Sequence, residues 1–138
     1  PDLVGLPLQE AALLIEKSGI AFQFTMRPVE GRERPGTIVA QLPAPGTLED
    51  QTTPVSIVFG APERTAGMVA GLFSQPLPEY PYPLRAVLYA EPPSGARVPI
   101  ISVDHPGRSF TMPYSLPEGS VLVLQVLNKV VARVEAGR

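Results

Sequence analysis

Three arginines crowd into one short stretch, Arg27-Pro28-Val29-Glu30-Gly31-Arg32-Glu33-Arg34, with two glutamates between them. The planar fork of an arginine grips a carboxylate or phosphate through two parallel hydrogen bonds. Gln41 lies a few positions on and adds an amide, so Arg27, Glu30, Arg32, Arg34 and Gln41 form the candidate ligand-binding set. The competing reading is a solvated loop whose charges partly pair with one another. Tyr80 and Tyr82, in QPLPEYPYP, offer rings that stack on a sugar or a partner protein, or pin the segment to a neighbouring domain. Asp104-His105 is the one acid–imidazole pair, but with Pro106-Gly107 behind it the segment reads as a turn. Glu49-Asp50 can chelate a cation, although two adjacent acids in a loop read more simply as a solvated turn. With no cysteine, the chain has no thiolate nucleophile, disulfide or Cys-type zinc site. No Gly-rich phosphate loop, Ser-x-x-Lys or metal-ligand spacing occurs either, so neither enzyme activity nor a metal or other cofactor is expected.

The elements that carry these residues follow from their spacing. In PLQEAALLIEKSG, Leu8, Ala11, Ala12 and Ile15 recur at helical intervals and Leu14 widens the stripe. Pro7 suits the first helical position and Gly19 a left-handed C-terminal cap. Ile20, Phe22, Phe24 and Met26 then alternate with Ala21, Gln23, Thr25 and Arg27, the period of a strand with one buried face. Strands are also expected at Thr37–Leu42 and Pro54–Phe59, separated by Pro- and Gly-rich turns. The fold class expected is α+β, with a helix packed on a three-stranded sheet over residues 1–60. A Pro-rich extended linker is expected at 61–83. A small all-β antiparallel, sandwich-like domain is expected at 84–138, with strands at Leu84–Ala90, Val98–Val103, Ser109–Tyr114, Ser120–Leu127 and Val130–Glu135. Asn128-Lys129 is the expected hairpin turn.

At 138 residues the chain suits one ordinary domain or two small ones, and its 44% hydrophobic content can fill a core. A net charge of −2 without any Lys/Arg run argues against nucleic acid or an anionic membrane surface as the main partner. No apolar run approaches the length of a membrane span. The first residues fall in mid-motif with no initiator Met, which reads as a piece of a longer protein.

Taken together, PDLVGLPLQEAALLIEKSGI, RPGTIVAQLPAPGT and TPVSIVFG resemble the PASTA domain, the module associated with penicillin-binding proteins and serine/threonine kinases. Pro1-Asp2, Gly5, Ala11, Leu14, Gly19-Ile20, Gly36-Thr37-Ile38, Gln41 and Pro43-Ala44-Pro45-Gly46-Thr47 carry the likeness in order. Two departures stand out: Pro7 where the family has a Ser or Thr cap, and Gln51-Thr52-Thr53-Pro54 where it has Gly before the last strand. The second half is similar, more weakly, to the tail that follows PASTA repeats in some bacterial kinases, through His105-Pro106-Gly107 and the Asn128-Lys129 hairpin. The resemblance implies a non-catalytic, extracytoplasmic cell-wall module of a bacterial protein. Its implied partners are peptidoglycan fragments (muropeptides) or β-lactam-like mimics, with the carboxylates of stem peptides suiting the arginine loop. The alternative it implies is a spacer, or a module for contact with other cell-wall proteins or for self-association, with no ligand of its own.

Overall fold

The computed structural model describes residues 2–44 and 54–137, so Glu49 and Asp50 lie outside the described residues. Helix α1 (Leu8–Ser18) buries Ala11, Ala12 and Ile15, leaves Leu14 half-buried and turns Leu13 to solvent. Pro7 is its N-cap, one position earlier than expected, and makes no side-chain capping bond. Gly19 closes the helix in the left-handed conformation, its N–H donating to the Ile15 carbonyl.

Strands β1 (Phe22–Arg27), β2 (Ile38–Leu42) and β3 (Val55–Gly60) form a sheet in the order β1-β3-β2. β1 runs parallel to β3, and β2 antiparallel to it. Alternation along β1 is as its period requires: Phe22 and Phe24 are buried, Gln23 and Thr25 exposed. Ahead of the helix, Gly5 donates to the Ile38 carbonyl and Ile38 to the Leu6 carbonyl, which ties the N-terminal segment to β2.

The second half departs from expectation. In place of a Pro-rich linker and a five-stranded sandwich, the chain forms one four-stranded antiparallel sheet, ordered β5-β4-β6-β7. β4 runs through Met68–Glu91 and β5 through Val98–Pro117, so most of the expected linker is strand. The reason lies in the pairing. Among the described residues, β4 over 68–85 pairs with β5 alone, and β6 (Val121–Val126) joins from Ala86 onward. Prolines, which cannot donate, are tolerated where one side of a strand carries no ladder. The same applies to Pro99, Pro106, Pro113 and Pro117 on β5, an edge strand throughout. His105-Pro106-Gly107-Arg108 is therefore not a hairpin turn but an irregularity inside β5. β7 (Lys129–Glu135) completes the sheet through a two-residue turn at Leu127-Asn128, one position earlier than expected. Both turn residues have positive φ, 50° and 67°, as a type I′ turn requires.

One apolar cluster runs through both sheets and the helix. Ile15, Phe24, Ile57 and Phe59 from the first half join Phe110, Met112, Leu88 and Leu124 from the second. Phe22 meets Phe110 edge to face at 6.2 Å, and the Phe24 N–H donates to the buried Thr111 hydroxyl at 2.8 Å. Apolar burial is the main favourable term in folding, and here it crosses from one half to the other.

Candidate functional site

The arginine loop leaves β1 and returns into β2, and most of its polar groups satisfy one another. Arg27 grips Glu33 through two parallel bonds of 2.8 Å and donates to the Pro28 carbonyl at 3.0 Å. Glu33 also accepts the Glu30 N–H, and its own N–H donates to the Glu30 carbonyl. The Arg27 bonds and then the Glu30 N–H hold the Glu33 carboxyl down to about 2, while Glu33 raises the Arg27 guanidinium. The Thr37 hydroxyl donates to the Arg34 carbonyl at the exit.

Of the five candidates, then, Arg27 is paired within the loop itself. The Gln41 side-chain oxygen Oε1 accepts the Leu3 N–H at 2.9 Å, so that residue also serves the fold. The Glu30 side chain is exposed. Arg32 and Arg34 remain at the surface, beside a shallow hollow of about 270 Å³ that Val4, Gly5, Thr37 and Val39 complete. Glu33, which the candidate set left out, is the residue that stiffens the loop. Its place three positions after Glu30 and between two arginines was the available signal.

A larger cleft, of about 530 Å³, opens where the two halves meet. The end of α1 and the start of β1 form one wall through Gly19, Ala21, Phe22 and Gln23. The other wall is the irregular middle of β4 and β5. Here pairing jumps from Glu79↔Gly107 to Leu84↔His105, so four residues of β4 bow out opposite a single residue of β5. Gly107 has a φ of 94°, and a Cβ there would collide with the Pro78 carbonyl. Arg108 also has positive φ, 73°, a conformation that L side chains seldom adopt.

Asp104 and His105, singled out as a pair by sequence, do not act together. Asp104 is exposed and pairs with Arg85 across the strands at 3.2 Å. His105 is 3% exposed, ringed by Phe22 and Phe110, and accepts the Gly107 N–H at Nδ1. Burial lowers its pKa to about 4, so the ring is neutral at pH 7. This imidazole packs edge-on against Phe22 and tilted against Phe110. Tyr80 packs partly into the core, whereas Tyr82 is 67% exposed at the cleft. No cluster of three metal-ligating side chains occurs among the described residues. Nor is any described helix long and apolar enough to cross a membrane.

Residues 1–61 match the family model of the PASTA domain. A structural neighbour is the extracellular region of the Ser/Thr kinase PrkC from Staphylococcus aureus, 14% identical, with a TM-score of 0.39. The match covers 99% of this chain and 50% of that one, so the chain spans half the length of that structure. Comparison with curated proteins finds no match.

Proposed function

We propose, from the premise that residues 1–61 are a PASTA domain, that this chain is a non-catalytic extracytoplasmic module of a bacterial cell-wall-related protein. Its ligands are peptidoglycan fragments or β-lactam-like mimics that carry a carboxylate. The observation that supports this reading is the loop: the Arg27–Glu33 pair braces it from within and leaves Arg32 and Arg34 facing solvent beside a hollow. Bracing lowers the ordering cost of binding, and two forks suit a stem-peptide carboxylate. Exposed charge contacts contribute only about 0–1 kcal/mol each, so the affinity is weak and falls with salt.

Co-sedimentation with purified peptidoglycan tests it. The wild-type chain pellets at low salt and less at moderate salt, and an Arg32→Ala, Arg34→Ala variant pellets several-fold less. Equal sedimentation of both proteins removes the loop from the account. A second reading, a spacer that self-associates, draws on Leu127, Val130 and Val131, exposed at or beside the edge strand β7. Concentration-dependent dimers together with no sedimentation favour that reading.

A further inference from the structure

The junction cleft is not part of the arginine loop, and its build indicates a second kind of contact. We infer that it is a saccharide subsite, in which Tyr82 stacks on the apolar face of a sugar ring and Gln23, Glu79 and Arg108 bond its hydroxyl and amide groups. This rests on the cell-wall reading above and extends it from the peptide to the glycan portion of the ligand.

Shape is the first support. A cleft of about 530 Å³ falls within the range of small-molecule sites, about 300–1,000 Å³. The cleft lies where both long strands give up regular pairing, and bulges of this kind commonly re-aim side chains next to sites. Left-handed backbone at a non-glycine residue such as Arg108 is strained, and such strain clusters at ligand clamps.

The second support is the aromatic platform. Tyr82 stands between Pro81 and Pro83, whose rings fix the local backbone, so the segment that presents this exposed ring has little backbone freedom left to lose. An amphipathic ring with one wet face is suited to a ligand that is apolar on one side and polar at its edge.

Charge balance then selects among ligands. Arg108 pairs with Glu79 at 2.7 Å, Arg85 pairs with Asp104, and the His105 ring is neutral. Each charge at the cleft thus has its counter-charge, and neither a bare phosphate nor a free carboxylate gains a strong partner. Planar groups remain, the Gln23 amide, the Glu79 carboxylate and the Arg108 guanidinium, which donate and accept in the way hydroxyls and N-acetyl groups require.

Two probes separate this inference from the arginine loop. One is a β-1,4-linked N-acetylglucosamine tetramer, which has no peptide and no carboxylate. The other is a free stem peptide, which has no sugar. Each is titrated into the ¹⁵N-labelled intact chain. The tetramer is expected to shift the amides of Gln23, Glu79, Tyr82 and Arg108. Tyr82→Ala, at an exposed position, should weaken it at least tenfold, and Arg32→Ala, Arg34→Ala should leave its affinity unchanged. Cleft shifts from the tetramer alone, with the stem peptide inert, support the inference while removing the loop reading. Cleft amides that ignore the tetramer at millimolar concentration, or that answer only to the peptide, overturn the inference. Undiminished binding by Tyr82→Ala overturns it too.

Discussion

Thr111→Val is the sharpest probe of how the two halves are joined. β1 is an edge strand of its sheet, so the Phe24 N–H has no ladder partner and turns instead to the Thr111 hydroxyl of β5, 2.8 Å away and buried. Valine keeps the shape of the side chain and removes the acceptor. A buried donor left unsatisfied costs about 1–3 kcal/mol, more than the roughly 0.5–1.5 kcal/mol net value of an average hydrogen bond. For 138 residues the unfolding entropy is roughly 0.3 kcal/mol/K, so each kcal/mol lowers the midpoint by about 3–4 °C. The expected fall is therefore about 3–10 °C in a calorimetric melt. Thr111→Ser, which retains the hydroxyl, should lose less than Thr111→Val. A Thr111→Val melt that superimposes on wild type would refute the reasoning, because Phe24 would then have another partner.

Other outcomes follow from the same structure. Ile15→Ala removes a fully buried side chain of α1 and should cost about 2–5 kcal/mol in a denaturant titration, while Leu13→Ala, on the exposed side, should cost far less. Gly107→Ala forces a Cβ into the Pro78 carbonyl, so its circular-dichroism midpoint should drop markedly, whereas Gly31→Ala, with open space around it, should drop only from its φ. His105 has a lower pKa folded than unfolded, so the unfolded chain binds more protons in between. Stability should therefore fall as pH drops from about 6.5 to about 4 and then level, with the bond from the Gly107 N–H to Nδ1 lost on protonation. His105→Phe should flatten that window in melts across pH. Asp104, Glu79 and Arg108 line the same cleft as this ring. The Glu33 carboxyl is depressed, so its contribution is complete above about 4.5 and is lost progressively as pH falls to about 2, a window below most of that of His105.

The first sheet was legible because its signals are local. Phe22 and Phe24 alternate, Gly19 caps the helix, and each element is short. The second sheet was legible only in part, since proline density masks a strand whose prolines sit on a side without a ladder. Nothing local to Pro76–Pro83 states that β5 will pair with it, and that pairing decides its structure. The same blindness hid the cleft. Tyr80, Tyr82 and Asp104-His105 were each noticeable, yet only the jump in register between Glu79 and Leu84 brings them to one wall, opposite Gln23. In the loop, spacing showed the arginines but not which carboxylate each would take. Arg27 was legible as a cation, and its commitment to Glu33 was not.

Saturation-transfer NMR on a soluble muropeptide, read from the ligand with the intact chain in catalytic amount, tests the central claim of cell-wall binding most directly. Transfer to both its sugar and its stem-peptide protons, reduced for the peptide by Arg32→Ala, Arg34→Ala and for the sugar by Tyr82→Ala, is the predicted result. No transfer to either portion at millimolar muropeptide and low salt would contradict the account and return the chain to the spacer reading.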